Sequence, residues 1–216
     1  MVTGLSLRRL GTTVSETVLI PGGRDVRGSL DTASVSDTAE SVVVACPPHP
    51  QHRGHRGDER LVAVSEALTA AGVDCLRFDY GDWDEGRGES ADTRQALRWA
   101  DSRYDRVGLF GFSFGASLAL LAAGGSEVAV GLSAVSALAP TARLGPELDV
   151  VRALDGVDCP AQVVVGERDT TVDWEPVAER AREVGFEVRE LSGDHFFVGQ
   201  SGTVGEVVSG FLLDYV

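Results

Sequence analysis

The hydrophobic pattern of the chain alternates between two kinds of segment. Short, almost unbroken apolar runs recur at Ser41–Cys46 (SVVVAC), Cys75–Phe78, Val107–Phe112, Val128–Leu138 and Gln162–Val165. Runs of that length with no polar alternation suit strands covered on both faces, as in a parallel sheet. Between them lie stretches with apolar residues at helical spacing. Leu61, Val64, Leu68 and Ala71 share one face of a helix predicted over about Asp58–Ala71, which Gly72 ends. Further helices are predicted over about Ala91–Ala100, Phe114–Ala123, Trp174–Val184 (with Asp173 as N-cap) and Val204–Tyr215. Two more extended stretches, Val14–Ile20 and Val26–Ala33, flank the turn Pro21-Gly22-Gly23, and a last strand is predicted at Glu187–Leu191. This alternation predicts one α/β domain over residues 1–216, a mostly parallel central sheet of about eight strands with helices on both faces. In such sheets ligands bind beyond the carboxyl ends of the strands, so chemistry is expected in the loops that follow them.

Composition narrows the setting. No apolar run approaches the roughly 18–20 residues needed to span a bilayer. The start, MVTGLSLRRL, has no apolar core behind its two arginines, so no signal peptide is predicted. Cys46, Cys75 and Cys159 are odd in number and far apart, which fits small core residues rather than a disulfide framework; the expected compartment is the cytoplasm. The charge balance is unusual: 33 acids against 19 bases give a net charge of −14, and every base is arginine. Such a chain repels nucleic acid and anionic membrane, so neither is expected as a partner. A high-GC genome would favour arginine over lysine but would not create the acid surplus. A salt-rich cytosol accounts for both, because ions screen self-repulsion, and the composition is of halophilic type.

Gly111-Phe112-Ser113-Phe114-Gly115 is a G-x-S-x-G pentapeptide. In a chain with 26 glycines the pattern alone is weak, but its context is a strand leading in (RVGLFGF) and a helix leading out (SLALLAA). A nucleophile on a sharp strand-to-helix turn needs small neighbours, which Gly111 and Gly115 supply, and the helix N-terminus offers free N–H groups to an oxyanion. A serine needs a base. Of four histidines, His195 follows a predicted strand in the polar turn Ser192-Gly193-Asp194-His195, whereas His49, His52 and His55 lie together earlier. The base needs an orienting carboxylate: Asp169 follows the strand at Gln162–Val165, and Asp173 is the alternative, better placed as a cap. The order Ser113, Asp169, His195 is that of an α/β-hydrolase triad. The oxyanion hole is expected to use the Phe114 N–H and one from the loop Pro47-Pro48-His49-Pro50-Gln51-His52. Its prolines have no N–H to give, which leaves His49, Gln51 and His52, with Gln51 favoured. His49, Tyr80 and Trp83 are candidates for the substrate pocket. The three loop histidines lack a Cys or acid to complete a tetrahedral set at usual zinc spacing, so no metal is predicted. The acid-rich run Asp82, Asp84, Glu85, Glu89 is expected to be a solvated loop rather than a calcium site.

From about residue 14 onward the chain resembles a small lidless serine hydrolase of the dienelactone-hydrolase-like branch of the α/β-hydrolase superfamily. The marks are Cys46-Pro47-Pro48-His49-Pro50, Arg77-Phe78-Asp79-Tyr80-Gly81, Gly88-Glu89 with Asp92, the GFSFG elbow, GERD at Gly166–Asp169 and GDHFF at Gly193–Phe197. The resemblance implies a single-domain α/β-hydrolase fold and hydrolysis of a carboxylic ester or related small acyl substrate, with no cofactor. Acyl transfer to another acceptor, thioester cleavage, or a non-catalytic binder on the same fold are the alternatives. Serine stands here where dienelactone hydrolases proper carry cysteine, so dienelactone itself is not implied. Many relatives have His-Pro-His-Pro where this chain has Pro47-Pro48-His49-Pro50. Roughly 22 residues lie between the strands ending near Leu138 and starting near Gln162, too few for a cap domain with its own core.

The acid surplus makes a prediction that needs no structure. The Debye length falls from about 10 Å at 0.1 M salt to about 3 Å at 1 M, so molar salt should remove most of the repulsion among surface carboxylates. The melting temperature is expected to rise between about 0.1 and about 2 M KCl, with activity rising or holding. A flat or falling melting temperature would leave the acidic surface without this role.

Overall fold

The computed structural model describes residues 14–33, 39–126 and 130–216. The elements, in order, are β1 (Val14–Ile20), β2 (Val26–Thr32), β3 (Ser41–Cys46), α1 (Glu59–Ala70), β4 (Asp74–Asp79), α2 (Arg87–Asp101), β5 (Arg106–Phe112), α3 (Phe114–Ala123), β6 (Leu132–Leu138), the short strands β7 (Arg143–Gly145) and β8 (Leu148–Asp149), α4 (Val150–Ala153), β9 (Ala161–Gly166), α5 (Glu175–Glu183), β10 (Glu187–Leu191) and α6 (Ser201–Leu213). Eight strands form one sheet in the order β1-β2-β4-β3-β5-β6-β9-β10. From β4 to β10 all neighbours are parallel, while β1–β2 and β2–β4 pair antiparallel.

The apolar run of β3 explains its central place. Val42, Val44 and Cys46 point to one face with residues of α2 and α3, while Val43 and Ala45 point to the other with residues of α1 and α6. Period-two alternation between two apolar layers requires a strand with no polar side. Cys46 and Cys75 are buried in these layers, and burial pushes both thiols up to about 12. The strand order reverses around β3: the chain leaves it toward β4, then returns on its other side as β5 and proceeds to β6. A crevice opens at the carboxyl ends where order reverses in this way.

The β5–α3 turn sits at that crevice. Ser113 has φ 56° and ψ −116°, a strained conformation for a residue with a side chain. Two glycines permit the turn. A Cβ on Gly111 would lie 2.2 Å from the Gly115 carbonyl oxygen, and one on Gly115 would lie 2.3 Å from the Cys46 oxygen and 2.4 Å from that of Pro47. The Ser113 N–H donates to the Leu138 carbonyl at the end of β6 (2.8 Å), locking the turn between β3 and β6.

Several boundaries differ from the sequence expectation. The first residues of the strand expected at Val128–Leu138 lie outside the described residues, and β6 proper begins at Leu132. Helix α2 starts at Arg87 rather than near Ala91, because the fully buried Glu89 caps it, accepting the Asp84 and Gly86 N–H groups at 2.8 Å each. Glu89 is therefore not part of a solvated acidic loop. Asp173 does not cap α5. The N-cap is Trp174, Asp173 is exposed, and its carbonyl instead takes the Ala142 N–H at 2.8 Å. The segment 139–160 forms a small hairpin (β7–β8), a single helical turn and a 3-10 turn, with Val150 and Leu154 buried against α3 and β9 residues. It packs against one face of the sheet, and among the described residues nothing covers the crevice as a cap domain would.

Gly115→Ala is expected to lower stability by about 2–3 kcal/mol or to prevent folding, since the new methyl meets backbone that cannot yield. Gly210→Ala, at an exposed position of α6 where a Cβ meets nothing within 4 Å, should be neutral or stabilise by up to about 1 kcal/mol. Urea unfolding of the two variants beside the parent checks both; equal midpoints would contradict the close-approach argument.

Candidate active site

Three strand ends deliver the three side chains singled out from sequence. Ser113 follows β5, Asp169 lies in the turn after β9, and His195 lies in the loop after β10. Ser113 Oγ is 2.8 Å from His195 Nε2, and His195 Nδ1 is 2.7 Å from Asp169 Oδ2. Asp169 and His195 are 6% and 4% exposed, so their contact is shielded from water, while Ser113 stays partly open to the crevice. A carboxylate only accepts, so Nδ1 carries the proton and Nε2 is left as the acceptor facing the serine hydroxyl.

Asp169 is held from its other side as well. Its Oδ1 accepts the Thr171 N–H at 2.8 Å, and its backbone carbonyl accepts the Trp174 indole N–H at 3.1 Å. These bonds fix which oxygen faces the histidine and separate it from Asp173, which is exposed and remote in role. The His195 loop is tied at its root, where the Arg168 N–H donates to the Gly193 carbonyl (2.9 Å) and Gln200 Nε2 to the Ser192 carbonyl (2.9 Å). Phe197, fully buried, anchors its far side.

The expected oxyanion donor Gln51 is elsewhere. Pro50 opens a short 3-10 turn over Pro50–His52, and this geometry points the Gln51 N–H at His49 Nδ1 (3.3 Å) and the His52 N–H at the His49 carbonyl (2.9 Å). Gln51 is exposed and does not line the crevice. Of the three donors considered in that loop, His49 N–H is the one without such a commitment. On the other side, the Phe114 N–H is the first of α3, where a helix leaves its N–H groups unpaired internally.

The crevice is a cleft of about 710 Å3 whose floor is Phe112, Ser113 and Phe114. His49, His52 and Arg53 border it on the β3 side, Thr141 and Leu144 come from the 139–160 segment, and Thr171, Val172 and Phe196 close the rest. His49 thus borders the cleft that holds Ser113. Its ring stands 4.9 Å from that of Phe114 and 4.6 Å from that of His52. Burial, and secondarily the neighbouring His52, hold its pKa below the usual histidine value. The neutral ring agrees with Nδ1 accepting from Gln51.

Tyr80 and Trp83 lie one layer back. Tyr80 is buried, donates its hydroxyl to the Pro47 carbonyl (3.2 Å) and meets Phe114 edge-on at 5.8 Å, so it supports the floor rather than lining the cleft. Trp83 packs behind His49 at 4.5 Å. The strand order explains both positions: β4 is separated from β5 by β3, so the β3 loop stands between the β4 loop and Ser113. Among the lining residues that the sequence reading did not single out are Arg60 and Asp58 beside it. The signal available was a charged pair opening the helix that follows the proline-rich loop at the carboxyl edge of the sheet. His55 turns away to accept the Gly57 N–H (2.9 Å), and among the described residues no group of three or more His, Cys, Asp or Glu is arranged to hold a metal ion. Among the described residues no helix is long and apolar enough to cross a membrane.

No protein-family model and no curated protein matches the sequence. Solved structures do match. An α/β serine hydrolase homologue from Coxiella burnetii is 24% identical, with a TM-score of 0.75 over 90% of this chain and 96% of its own. A serine hydrolase without a lid from Xanthomonas campestris is 22% identical, with a TM-score of 0.70 over 90% of this chain and 94% of its own. A dienelactone hydrolase from Anabaena variabilis is 21% identical, with a TM-score of 0.73 over 94% of this chain and 99% of its own. Together with the strand order and the turn at Ser113, these likenesses show that the chain has the α/β-hydrolase fold, in a small form like that of its lidless and dienelactone-hydrolase neighbours.

Proposed function

We propose that the chain is a serine hydrolase acting on carboxylic esters or related small acyl substrates through an acyl-enzyme. The observation that carries this reading is the unbroken relay of short contacts from Ser113 Oγ to His195 to Asp169, at 2.8 and 2.7 Å. In it Ser113 attacks the carbonyl carbon and His195 Nε2 takes the hydroxyl proton. Asp169 keeps the imidazole in the tautomer that can accept and stabilises the imidazolium that forms. The carbonyl oxygen gains negative charge in the tetrahedral intermediate, and the Phe114 and His49 N–H groups are the donors assigned to it. His195 then returns the proton to the leaving alcohol, and water repeats the sequence to free the acid. Every step uses groups of this chain, so no cofactor is required. The elbow strain at Ser113 supports the reading, since a serine held at φ 56° serves no evident packing purpose. So do the names of the structural neighbours, a lidless serine hydrolase and a dienelactone hydrolase among them.

The cleft also sets the size of the substrate. It is open to solvent and bordered by Leu144, Phe196 and the His49 loop, and among the described residues no cap encloses it. Short acyl groups are therefore expected to be preferred over long lipids, with little interfacial activation.

Three outcomes test the reading. Ser113→Ala should fold with the parent's melting temperature within a few degrees and lose about 10³-fold or more in ester hydrolysis; near-full activity on a p-nitrophenyl ester would defeat the mechanism. Asp169→Asn should also be impaired severely, on the order of 10⁴-fold, through the wrong imidazole tautomer, whereas Asp173→Asn should stay close to the parent. A fluorophosphonate should label Ser113, and a series of p-nitrophenyl esters should show kcat/KM falling as the acyl chain lengthens; a marked preference for long-chain triglycerides would refute the open-cleft argument.

A further inference from the structure

Arg60 stands in the first turn of α1, where a cation opposes the positive end of the helix dipole. Helix stability therefore does not explain it. Nor is it a surface charge: its side chain is 12% exposed, and it lines the wall of the cleft. Its Nε is buried without a hydrogen-bond partner, the one such side-chain atom among the described residues. An unmade bond of that kind costs about 1–3 kcal/mol, so the position of the guanidinium is set by its other contacts.

Those contacts lead to the histidine. Nη1 donates to the Phe196 carbonyl at 3.1 Å, the residue after His195. The guanidinium carbon lies 4.5 Å from the centre of the Phe112 ring, and that ring lies 5.6 Å from the His195 imidazole at an angle of 32°. The Phe196 ring meets the imidazole edge-on at 5.2 Å, yet Phe196 is 51% exposed and cannot fix itself by burial. Arg60 is in turn held by Asp58, whose Oδ2 is 2.5 Å from Nη2 and whose Oδ1 accepts the Arg60 N–H at 3.0 Å. Glu59 adds a contact to Nη1 at 3.0 Å. The base of this strut is rigid, because α1 packs closely on α6: a Cβ on Gly205 would lie 3.0 Å from the Ala63 carbonyl oxygen.

We propose that Arg60, braced by Asp58, is a positioning residue that fixes His195 from the α1 side, through the Phe196 carbonyl and the Phe112 ring. The inference rests on the hydrolase reading above. Asp169 sets the tautomer and one end of the imidazole; Arg60 sets how far the loop can carry Nε2 from Ser113. Neither Arg60 nor Asp58 touches the reacting atoms in this scheme.

The experiment uses the full chain and compares Arg60→Met, Arg60→Lys and Asp58→Asn with the parent. For each, kcat and KM on p-nitrophenyl acetate, the rate of Ser113 phosphonylation by a fluorophosphonate, the melting temperature and the low-field proton signal of His195 Nδ1–H are measured. In folded Arg60→Met, kcat and the phosphonylation rate should both fall about 10- to 100-fold, the scale expected of a displaced catalytic group. KM should stay within about threefold, and the low-field signal should weaken. Arg60→Lys should recover part of the rate, because it keeps a donor for the Phe196 carbonyl. If Arg60→Met does not fold, Asp58→Asn carries the test. Asparagine still caps the helix but no longer braces the guanidinium as a charge, so rates should fall in the same direction with the melting temperature little changed. Parent-like kcat, phosphonylation and proton signal in folded Arg60→Met or Asp58→Asn would overturn the inference, as would a rise in KM alone. A folded parent that the fluorophosphonate does not label at Ser113 would instead overturn the hydrolase reading itself.

Discussion

The arrangement depends on how closely the backbone at Ser113 can approach the end of β3. The turn between β5 and α3 presses the α-carbons at 111 and 115 against peptide oxygens, leaving no room for a side chain at either. Only with both as glycine can the chain reverse there and hold Ser113 at positive φ, at a cost of about 1–3 kcal/mol that the surrounding sheet must offset. That one approach gathers the groups on which the proposed acyl transfer would draw. It sets Ser113 in the floor of the crevice, with the first residue of α3 beside it and Pro48 and His49 of the proline-rich loop along the border. The N–H at 113 bonds to the Leu138 carbonyl, so the elbow is part of the sheet's own ladder and is held from both neighbouring strands.

The function proposed for Ser113 requires that His195 be equally restrained. The parallel strands β9 and β10 end side by side, and their loops carry Asp169 and His195 to the same edge of the sheet. The imidazole is confined by contacts of different kinds: a carboxylate at Nδ1, a phenyl ring on each of two sides, and a loop whose carbonyl is gripped from another helix. Burial strengthens the carboxylate contact, since water does not compete for it. The serine side remains open, as substrate entry requires.

Arginine supplies the connections elsewhere. Arg24 bonds Asp92 at 2.8 Å and so ties the first turn to α2 and, through the Gly81 N–H on the same carboxylate, to the loop after β4. Arg77 pairs with the buried Asp31 at 2.6 Å and donates to the Arg56 carbonyl, steadying the segment that leads into α1. A planar guanidinium can bridge two or three acceptors at once, which an ammonium does less well. By contrast the pairs of Arg180, Arg182 and Arg189 are exposed and contribute little to stability.

Much of this was legible in the residues themselves. Periodicity located β3 and α3 to the residue, because a largely buried element leaves a pattern that depends only on its own side chains; β1 and β10, mostly open to solvent, were bounded instead by the turn residues that flank them. The residues that meet as Ser113, Asp169 and His195 could be chosen from local context, since each follows a recognisable strand. Cap positions were harder: Glu89 extends α2 because its side chain reaches back to the Asp84 and Gly86 N–H groups, and Asp173 stands one residue too early to cap α5. Gln51 is turned aside locally, by the 3-10 turn that Pro50 opens. The rest of what faces the cleft was decided by tertiary structure: Tyr80 and Trp83 are set back because β3 lies between β4 and β5, and Arg60 reaches Phe196 across 136 positions of sequence. Those outcomes follow from the packing of distant elements, with a strand order that is non-sequential at β3, and no local pattern of residues records which distant loop will become a neighbour.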